Sequence, residues 1–262
     1  MEITVYAGFL FFGLTVGSFL NALVFRLGTT ESILWGRSHC MTCKHTLKWR
    51  ELIPVVSFVM LGGKCRSCHD PVSIQYPIVE LLTAAVFLLI YTNHKSDIFW
   101  YAGDLFFYFF AATLLLAIAI YDFRTKIIAS ALIIPFFILT LIGLAVRWFS
   151  GAALAEIAAT VITAFLVFVF FSGLWFFSKG RAMGFGDAEL APAIVLFLGP
   201  TLGVVALLFS FWAGALFGIT LIALGKASLK SDIPFGPFLV AGAFVAMFWG
   251  EALFRVWFTI FL

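Results

Sequence analysis

Two aspartates lie where long apolar runs meet polar loops, and this placement suggests acid–base chemistry. Asp122 closes one apolar run just before Phe123-Arg124, and Asp187 follows Met183-Gly184-Phe185-Gly186 at the start of another. An ionisable group beside an apolar segment is costly unless it faces a cavity or a partner. If the two carboxylates converge, repulsion makes them share one proton near neutral pH. One could then take a proton from water while the other polarises a peptide carbonyl, although a helix-capping role for Asp187 is the alternative.

Two glycines beside Asp187 affect the backbone, and two glutamates add further acidic groups at the edges of apolar runs. Gly184 and Gly186 allow the backbone to turn tightly and to approach another segment closely. Glu189 is two residues past Asp187, so on a helix it points away by about 200°. Glu80 follows Tyr76-Pro77-Ile78-Val79 at the start of an apolar run, where we favour pairing with a basic loop group over a separate polar site. We predict no functional role for Asp104 and Glu156.

All four cysteines lie in one polar stretch, as Cys40-Met41-Thr42-Cys43 and Cys65-Arg66-Ser67-Cys68. Two C-x2-C knuckles predict a structural Zn²⁺ site with four thiolate ligands and no open position for water. Such a metal supplies folding free energy to a segment too small to build a large core. A redox pair or idle thiols are the competing interpretations. Three histidines lie beside the cysteines and are expected to be neighbours rather than ligands: His39, His45 and His69.

The composition identifies the elements that must position these residues. The chain has 262 residues, of which 63% are hydrophobic and 11% are charged, whereas soluble domains carry about 25% charged residues. This excludes a soluble enzyme, a disordered chain and a nucleic-acid-binding protein. Alternating strands of about 10 residues, which would indicate a barrel, are absent from the sequence. The prediction is an all-α polytopic membrane protein.

Eight apolar segments approach the length of about 20 residues that spans a bilayer. The sixth is short and ends at Gly199-Pro200, so it could be tilted, re-entrant or partly unwound. The resulting division has a first transmembrane helix (1–27), a cytoplasmic zinc-binding insert (28–75) and a seven-helix bundle that carries the aspartates (76–262). The eight predicted spans are 4–25, 76–92, 99–121, 127–147, 152–177, 187–199, 201–224 and 237–260.

The basic residues predict the orientation of these spans. If the N-terminus is outside, 13 of the 16 Lys and Arg residues fall on the cytoplasmic side, and only Lys95, Arg147 and Arg255 lie opposite. Both termini are then outside, and the insert and both aspartates are cytoplasmic. The opening Met1-Glu2 followed by an apolar run indicates a retained helix rather than a cleaved signal.

Several motifs, in this order along the chain, resemble those of the bacterial type IV prepilin peptidases. They include Gly17-Ser18-Phe19-Leu20-Asn21, the two Cys-x-x-Cys knuckles, Leu52-Ile53-Pro54, Tyr76-Pro77-Ile78-Val79-Glu80, Asp122, Gly184-Phe185-Gly186-Asp187 and Pro234-Phe235-Gly236-Pro237. The resemblance implies an eight-span intramembrane aspartic protease of the inner membrane, with Asp122 and Asp187 as its catalytic pair. Its substrates would be prepilins or pseudopilins of a pilus or secretion system, cut after a Gly. The resemblance also implies N-methylation of the new N-terminus with S-adenosylmethionine.

Three positions depart from the family pattern. Glu189 stands where Lys is common, Gly62-Gly63 replaces Arg-Gly before the second knuckle, and Ile128-Ala129 replaces Ile-Pro. These departures bear on methyl transfer more than on proteolysis.

Other classes of membrane protein share parts of this pattern. A presenilin-like protease also has a Gly-x-Gly-Asp motif, but the Pro-Ala-Leu sequence typical of that type does not occur here. A zinc-stapled transporter remains a further alternative, although the repeated halves common among transporters are absent. A zinc-anchored scaffold without chemistry is the third.

Overall fold

In the computed structural model the regular elements of the described residues are helices, with two isolated β-bridges in the insert and no strand. The described residues are 2–29, 31–32, 35–94, 102–181, 183–226, 228, 231 and 233–261. Lys95, Asp97, Lys230, Asp232 and the first residues of the predicted third span therefore lie outside them. The helices are α1 Glu2–Arg26, α2 Val56–Met60, α3 Gln75–His94, α4 Ala102–Thr125, α5 Ser130–Phe149, α6 Leu154–Ser178, α7 Phe185–Leu198, α8 Pro200–Ala223 and α9 Gly236–Phe261.

Seven of these helices are long and apolar enough to cross a membrane, judged by length and composition. A helix satisfies every backbone polar group internally, which lipid requires. The predicted sixth span is the exception: α7 has 14 residues, and at 1.5 Å per residue it covers only about 21 Å. The helical membrane architecture is confirmed: the described residues contain seven full spans, the short helix α7 and the five-residue helix α2 of the insert.

Packing of Cα atoms divides the chain into residues 1–113 and 114–262, and the boundary falls inside α4. The three-part division expected from the sequence stays a prediction.

In the first unit, α1 and α3 pack as an antiparallel pair through glycines. A Cβ atom on Gly13 would lie 2.5 Å from the Cα atom of Ala84, and one on Gly17 would lie 2.6 Å from the Cα atom of Glu80. These two glycines are four residues apart and face α3 one turn after another, as small residues do where membrane helices meet closely. The polar insert, residues 28–74, connects the two helices and so begins and ends at the same end of the pair.

In the second unit, α7 packs against α5, α6, α8 and α9. Because other helices surround α7, it does not need the length of a lipid-exposed span and can carry Asp187 and Glu189. The neighbours, rather than lipid, surround most of its side chains. The buried residues of α7 are Asp187, Ala188, Leu190, Ala191, Pro192, Ala193, Ile194, Val195 and Leu196.

Candidate functional site: an aspartate pair and a four-cysteine cluster

The two cysteine knuckles have the same backbone geometry. The N–H of Cys40 donates to the carbonyl of His45, and the N–H of Lys44 donates back to the carbonyl of Cys40. Cys65 makes the equivalent pair of hydrogen bonds with Asp70 and His69. The fourth residue after the first cysteine of each knuckle has a positive φ, 57° for Lys44 and 58° for His69. The two Cys-x-x-Cys segments therefore adopt the same loop conformation.

The four sulfur atoms have the spacing of a tetrahedral metal site. All lie within 4.8 Å of one another; Cys40 and Cys68 are 3.8 Å apart, and Cys43 and Cys65 are 3.9 Å apart, measured between Sγ atoms. Zn–S bonds of about 2.3 Å at tetrahedral angles place sulfur atoms about 3.8 Å apart. The N–H of Cys43 lowers the pKa of Cys40 to about 6, whereas burial and the neighbouring sulfur atoms raise the pKa of Cys68 to about 12. These thiols fit a four-coordinate metal ion such as zinc.

Two of the three histidines next to the cysteines face carboxylates. His39 Nε2 lies 3.6 Å from a carboxylate oxygen of Glu31, and His45 Nε2 lies 3.6 Å from Glu51 Oε2. This agrees with the expectation that they are neighbours of the metal site rather than ligands.

Asp122 lies in the last turn of α4, which continues to Thr125 rather than ending at residue 121 as the sequence suggested. Its side chain is buried at 3% exposure. The carboxylate Oδ2 accepts a hydrogen bond of 2.9 Å from the N–H of Gly236, at the start of α9. A Cβ atom on Gly236 would lie 2.6 Å from the same oxygen, so only glycine leaves room for this contact.

Asp187 occupies the first turn of α7 and is buried at 6% exposure. Its Oδ2 accepts a hydrogen bond of 3.2 Å from the N–H of Gly184, the residue that caps the helix. The capping interpretation was therefore correct for one oxygen. The other oxygen, Oδ1, is buried and has no hydrogen-bond partner among the described residues. An unsatisfied buried carboxylate oxygen is costly, so Asp187 has an acceptor to offer to water or substrate.

The two aspartates lie close enough to interact electrostatically. Each has one oxygen fixed by a glycine N–H, from Gly236 in one case and Gly184 in the other. Two buried carboxylates with fixed orientations can hold one proton between them and activate a water molecule. Both aspartates lie in the second unit, Asp122 on α4 and Asp187 on α7.

Gly186 and the α4–α5 loop meet beside Asp187. A Cβ atom on Gly186 would lie 2.7 Å from the Cβ atom of Ile128. Ala129 caps α5 with φ −76°, close to the value that a proline ring imposes. Ala129 therefore has a proline-like backbone conformation, although Pro is common at this position in the family.

Glu80 supports the insert rather than the aspartate pair. Its Oε2 accepts a hydrogen bond of 2.7 Å from the N–H of Val55, and it is also hydrogen-bonded to Ser18. Val55 has φ 60°, which is uncommon and strained for a β-branched residue. Among the described residues Glu80 contacts a backbone N–H of the insert rather than a basic side chain, and pairing with a basic group of the loop stays a prediction. Glu80 stabilises a backbone turn.

Sequence reasoning missed Gly236 and Ile128 as contacts of the site. Gly236 is 114 residues from Asp122, and only the fold brings them together. The available signal was the string Pro234-Phe235-Gly236-Pro237, because a glycine at the start of an apolar run lets another group approach the backbone closely.

Comparison with known proteins identifies relatives across nearly the whole chain. Residues 11–94 match the bacterial peptidase A24 N-terminal domain, and residues 109–219 match the type IV leader peptidase family. A prepilin leader peptidase/N-methyltransferase of Bacillus subtilis strain 168 is 30% identical over 92% of this chain and 93% of its own length.

Two further relatives carry the same description. One from Aeromonas hydrophila is 31% identical over 96% of this chain and 93% of its own length. One from Pseudomonas aeruginosa strain PAO1 is 29% identical over 94% of this chain and 90% of its own length. No solved structure matches the chain.

Proposed function

Because the chain belongs to the type IV leader peptidase family, we propose that it is an aspartic endopeptidase of type IV prepilins or pseudopilins. It removes their short leader after a Gly. The observation that carries this proposal is the buried pair Asp122 and Asp187, each held by one glycine N–H and coupled electrostatically.

The proposed reaction uses one proton shared by the pair. The ionised aspartate takes a proton from water, and the water oxygen attacks the carbonyl carbon of the scissile peptide. The protonated aspartate donates to the carbonyl oxygen. When the C–N bond breaks, the leaving nitrogen takes a proton from the aspartate that received it from water and becomes the new N-terminus. A hydroxyl of the tetrahedral intermediate returns a proton to the other aspartate, so the pair again holds one proton. Asp187 Oδ1 has no hydrogen-bond partner among the described residues, so it can accept a hydrogen bond from the water molecule.

The proposed location is the cytoplasmic boundary of the bacterial inner membrane. Thirteen of 16 basic residues fall on one predicted side, which the positive-inside rule assigns to the cytoplasm, with both termini outside. Asp122 lies near the end of α4 and Asp187 near the start of α7. A basic leader would then stay in the cytoplasm while the apolar pilin helix remains in lipid, so the scissile bond meets the pair at the boundary.

The relatives' description as N-methyltransferases extends the proposal to methylation of the new N-terminus. S-adenosylmethionine would supply the methyl group. The proposed metal of the insert is Zn²⁺, held by Cys40, Cys43, Cys65 and Cys68 in a structural role, because four thiolates leave no open coordination position.

The test is cleavage of a prepilin co-expressed with variants of this chain. Asp122→Asn and Asp187→Asn are expected to lower cleavage about a thousandfold or more, because each removes a group that transfers protons. Glu156→Gln is the matched control, since Glu156 pairs with Arg147 and has no proposed role. Immunoblots of membrane fractions verify equal amounts of protein.

Retained cleavage in either Asn variant would refute the catalytic pair. A transporter or scaffold predicts no prepilin product from the unaltered chain. A presenilin-like protease predicts cleavage of other membrane proteins and an intact prepilin.

A further inference from the structure

The short helix α2 of the insert exposes an apolar face. Val56, Val59 and Met60 are three and four residues apart, so they lie on one side of the helix. Val59 is 70% exposed and Met60 is 80% exposed, and Val56 is exposed as well. Apolar side chains that are exposed together, rather than singly, mark a surface for a partner or a membrane.

The other side of α2 faces the protein. Ser57, Phe58 and Leu61 line a cavity of about 370 Å³, whose further walls are the two cysteine knuckles, the C-terminal end of α1 and the first turns of α3. Val56, Val59 and Met60 are not among its lining residues. The exposed face of α2 therefore points away from the cavity that the insert encloses.

A hydrogen bond sets the level of α2 along α3. The N–H of Val55, the residue before α2, donates to Glu80 Oε2 at 2.7 Å. Glu80 is five residues after the start of α3, or about 7.5 Å along a helix that rises 1.5 Å per residue. The helix α2 therefore begins beside the first turns of a spanning helix rather than beyond its end.

At this same level, α3 has side chains that suit lipid. Ile78, Leu81 and Leu82 precede and follow Glu80 and are about half exposed. The 20 residues of α3 cover about 30 Å, which is the thickness of the hydrocarbon core of a bilayer. Its first turns, and α2 beside them, are thus at the boundary between hydrocarbon and head groups.

The segment before α2 has the residue types of a membrane interface. Residues Trp49–Glu51 form a single 3₁₀ turn that packs against α2. Trp49 is 68% exposed, and the Arg50 guanidinium lies 5.1 Å from the centroid of its ring. Lys48, the preceding residue, is exposed. Trp is enriched where membranes meet water, and bases there attract anionic lipids.

The charge that the insert presents is positive. Each of its three acids has a partner within the protein: Glu51 accepts from the N–H of Lys48, Glu31 pairs with Arg26, and Asp70 accepts from Thr42. The insert also has six exposed bases, which are Arg37, Lys44, Lys48, Arg50, Lys64 and Arg66. An anionic surface therefore complements this segment.

We propose that the insert docks on the membrane surface, with Val56, Val59 and Met60 among the lipid head groups and Lys48 and Arg50 against the phosphates of anionic lipids. The leaflet would be the cytoplasmic one, a detail that rests on the proposed location. Charge favours this partner over two others. A basic prepilin leader and a second copy of the same basic insert would both be repelled.

The first measurement identifies what contacts α2 in intact membranes. Val59→p-benzoylphenylalanine is made in cells that also express a prepilin, and adducts formed under ultraviolet light are identified by mass spectrometry. We expect adducts with phospholipid. Leu166→p-benzoylphenylalanine is the reference, because Leu166 lies in the middle of the spanning helix α6 and is 60% exposed.

Two results of this measurement would overturn the proposal. One is the absence of lipid adducts at Val59 when Leu166 yields them. The other is an adduct with a second copy of the chain, or with the prepilin, in place of lipid.

The second measurement tests the role of the bases. Hydrogen–deuterium exchange of residues 56–61 is followed in the full-length chain, in nanodiscs of phosphatidylcholine and in nanodiscs of an equal mixture with phosphatidylglycerol. We expect exchange at least about tenfold slower in the mixture, as the attraction of two bases to an anionic surface predicts. The double variant Lys48→Gln/Arg50→Gln should lose this difference.

The double variant Lys179→Gln/Arg181→Gln is the matched control, since it removes the same charge from exposed bases of the loop between α6 and α7. Zinc content and prepilin cleavage report whether each variant is folded. Equal exchange of the unaltered chain in the two lipids overturns the proposal without any variant. A difference retained in a folded Lys48→Gln/Arg50→Gln also overturns it.

These outcomes are separate from those that test the proposed function. The two leaflets of a nanodisc have the same composition, so the result does not depend on which side of the chain faces the cytoplasm. Exchange is measured without a prepilin, so a chain that is protected by anionic lipid but cleaves no prepilin would overturn the proposed function alone. A chain that cleaves prepilin without this protection would overturn the docking alone.

Discussion

At the scale of single residues, the chemistry of the proposed site depends on two glycines as much as on two aspartates. Asp122 and Asp187 could be selected from the sequence because acids are rare at the edges of apolar runs. Their hydrogen-bond partners could not, because Gly236 reaches Asp122 from the start of another helix. The sequence identifies the acidic groups, whereas the fold determines the distances between them and their hydrogen-bond partners.

Replacement of Gly236 tests whether this contact orients the catalytic pair. Gly236→Ala places a Cβ atom 2.6 Å from Asp122 Oδ2 and so displaces the carboxylate. A shift of about 1 Å in a reacting group costs about a hundredfold in rate. We expect that loss in kcat/KM for prepilin cleavage, measured on purified protein.

Gly8→Ala is the control for the same change of residue type, because nothing lies within 4 Å of the new Cβ atom. Wild-type kinetics in Gly236→Ala would mean that Asp122 does not need a fixed position.

At the scale of elements, the short helix α7 is the feature that the sequence predicted least completely. Its length and its end at Gly199-Pro200 followed from composition and turn residues. The burial of α7 among other helices could not be predicted, because an apolar sequence is compatible with both lipid and protein surroundings. Contacts with α5, α6, α8 and α9 show that protein surrounds it.

Close packing of α7 against α8 predicts a stability defect at Gly203. A Cβ atom there would lie 2.7 Å from the Cα atom of Val195, so Gly203→Ala forces the two helices apart. Overpacking of this kind costs about 1–3 kcal/mol. The expected result is a lower thermal midpoint in detergent, followed by tryptophan fluorescence.

Gly173→Ala in α6 adds the same methyl group where nothing lies within 4 Å, and its midpoint should not fall. Equal midpoints for the two variants would contradict the close approach of α7 and α8.

At the scale of the whole molecule, the chain places two kinds of site in two units. The aspartate pair belongs to residues 114–262, and the cysteine cluster belongs to residues 1–113. The low content of charge predicted the membrane helices, and the two Cys-x-x-Cys knuckles predicted the cluster. The cavity beside the knuckles could not be predicted, since it depends on how the insert folds back onto α1 and α3.

Loss of one cysteine should empty the metal site and destabilise the insert. Cys40→Ser removes one of four ligands, and structural zinc contributes about 10–16 kcal/mol in small domains. We expect about one zinc per chain in the unaltered protein, almost none in the variant, and a lower steady-state amount of the variant in membranes.

Ser67→Ala alters the second knuckle without removing a ligand, so it serves as the comparison. Elemental analysis of both purified proteins measures the zinc bound per chain. Full zinc content in Cys40→Ser would exclude the tetrahedral site.

The enclosure of α7 also has a consequence for how the protein is made. A segment of 14 residues that carries Asp187 and Glu189 is too short and too polar for the translocon to release into lipid alone. Gly199 is the only residue between α7 and α8, so we expect the two to enter together as a hairpin. Since α9 is synthesised after α7 and α8, a nascent chain that stops before α9 would leave the side of α7 that α9 covers open to quality-control proteases.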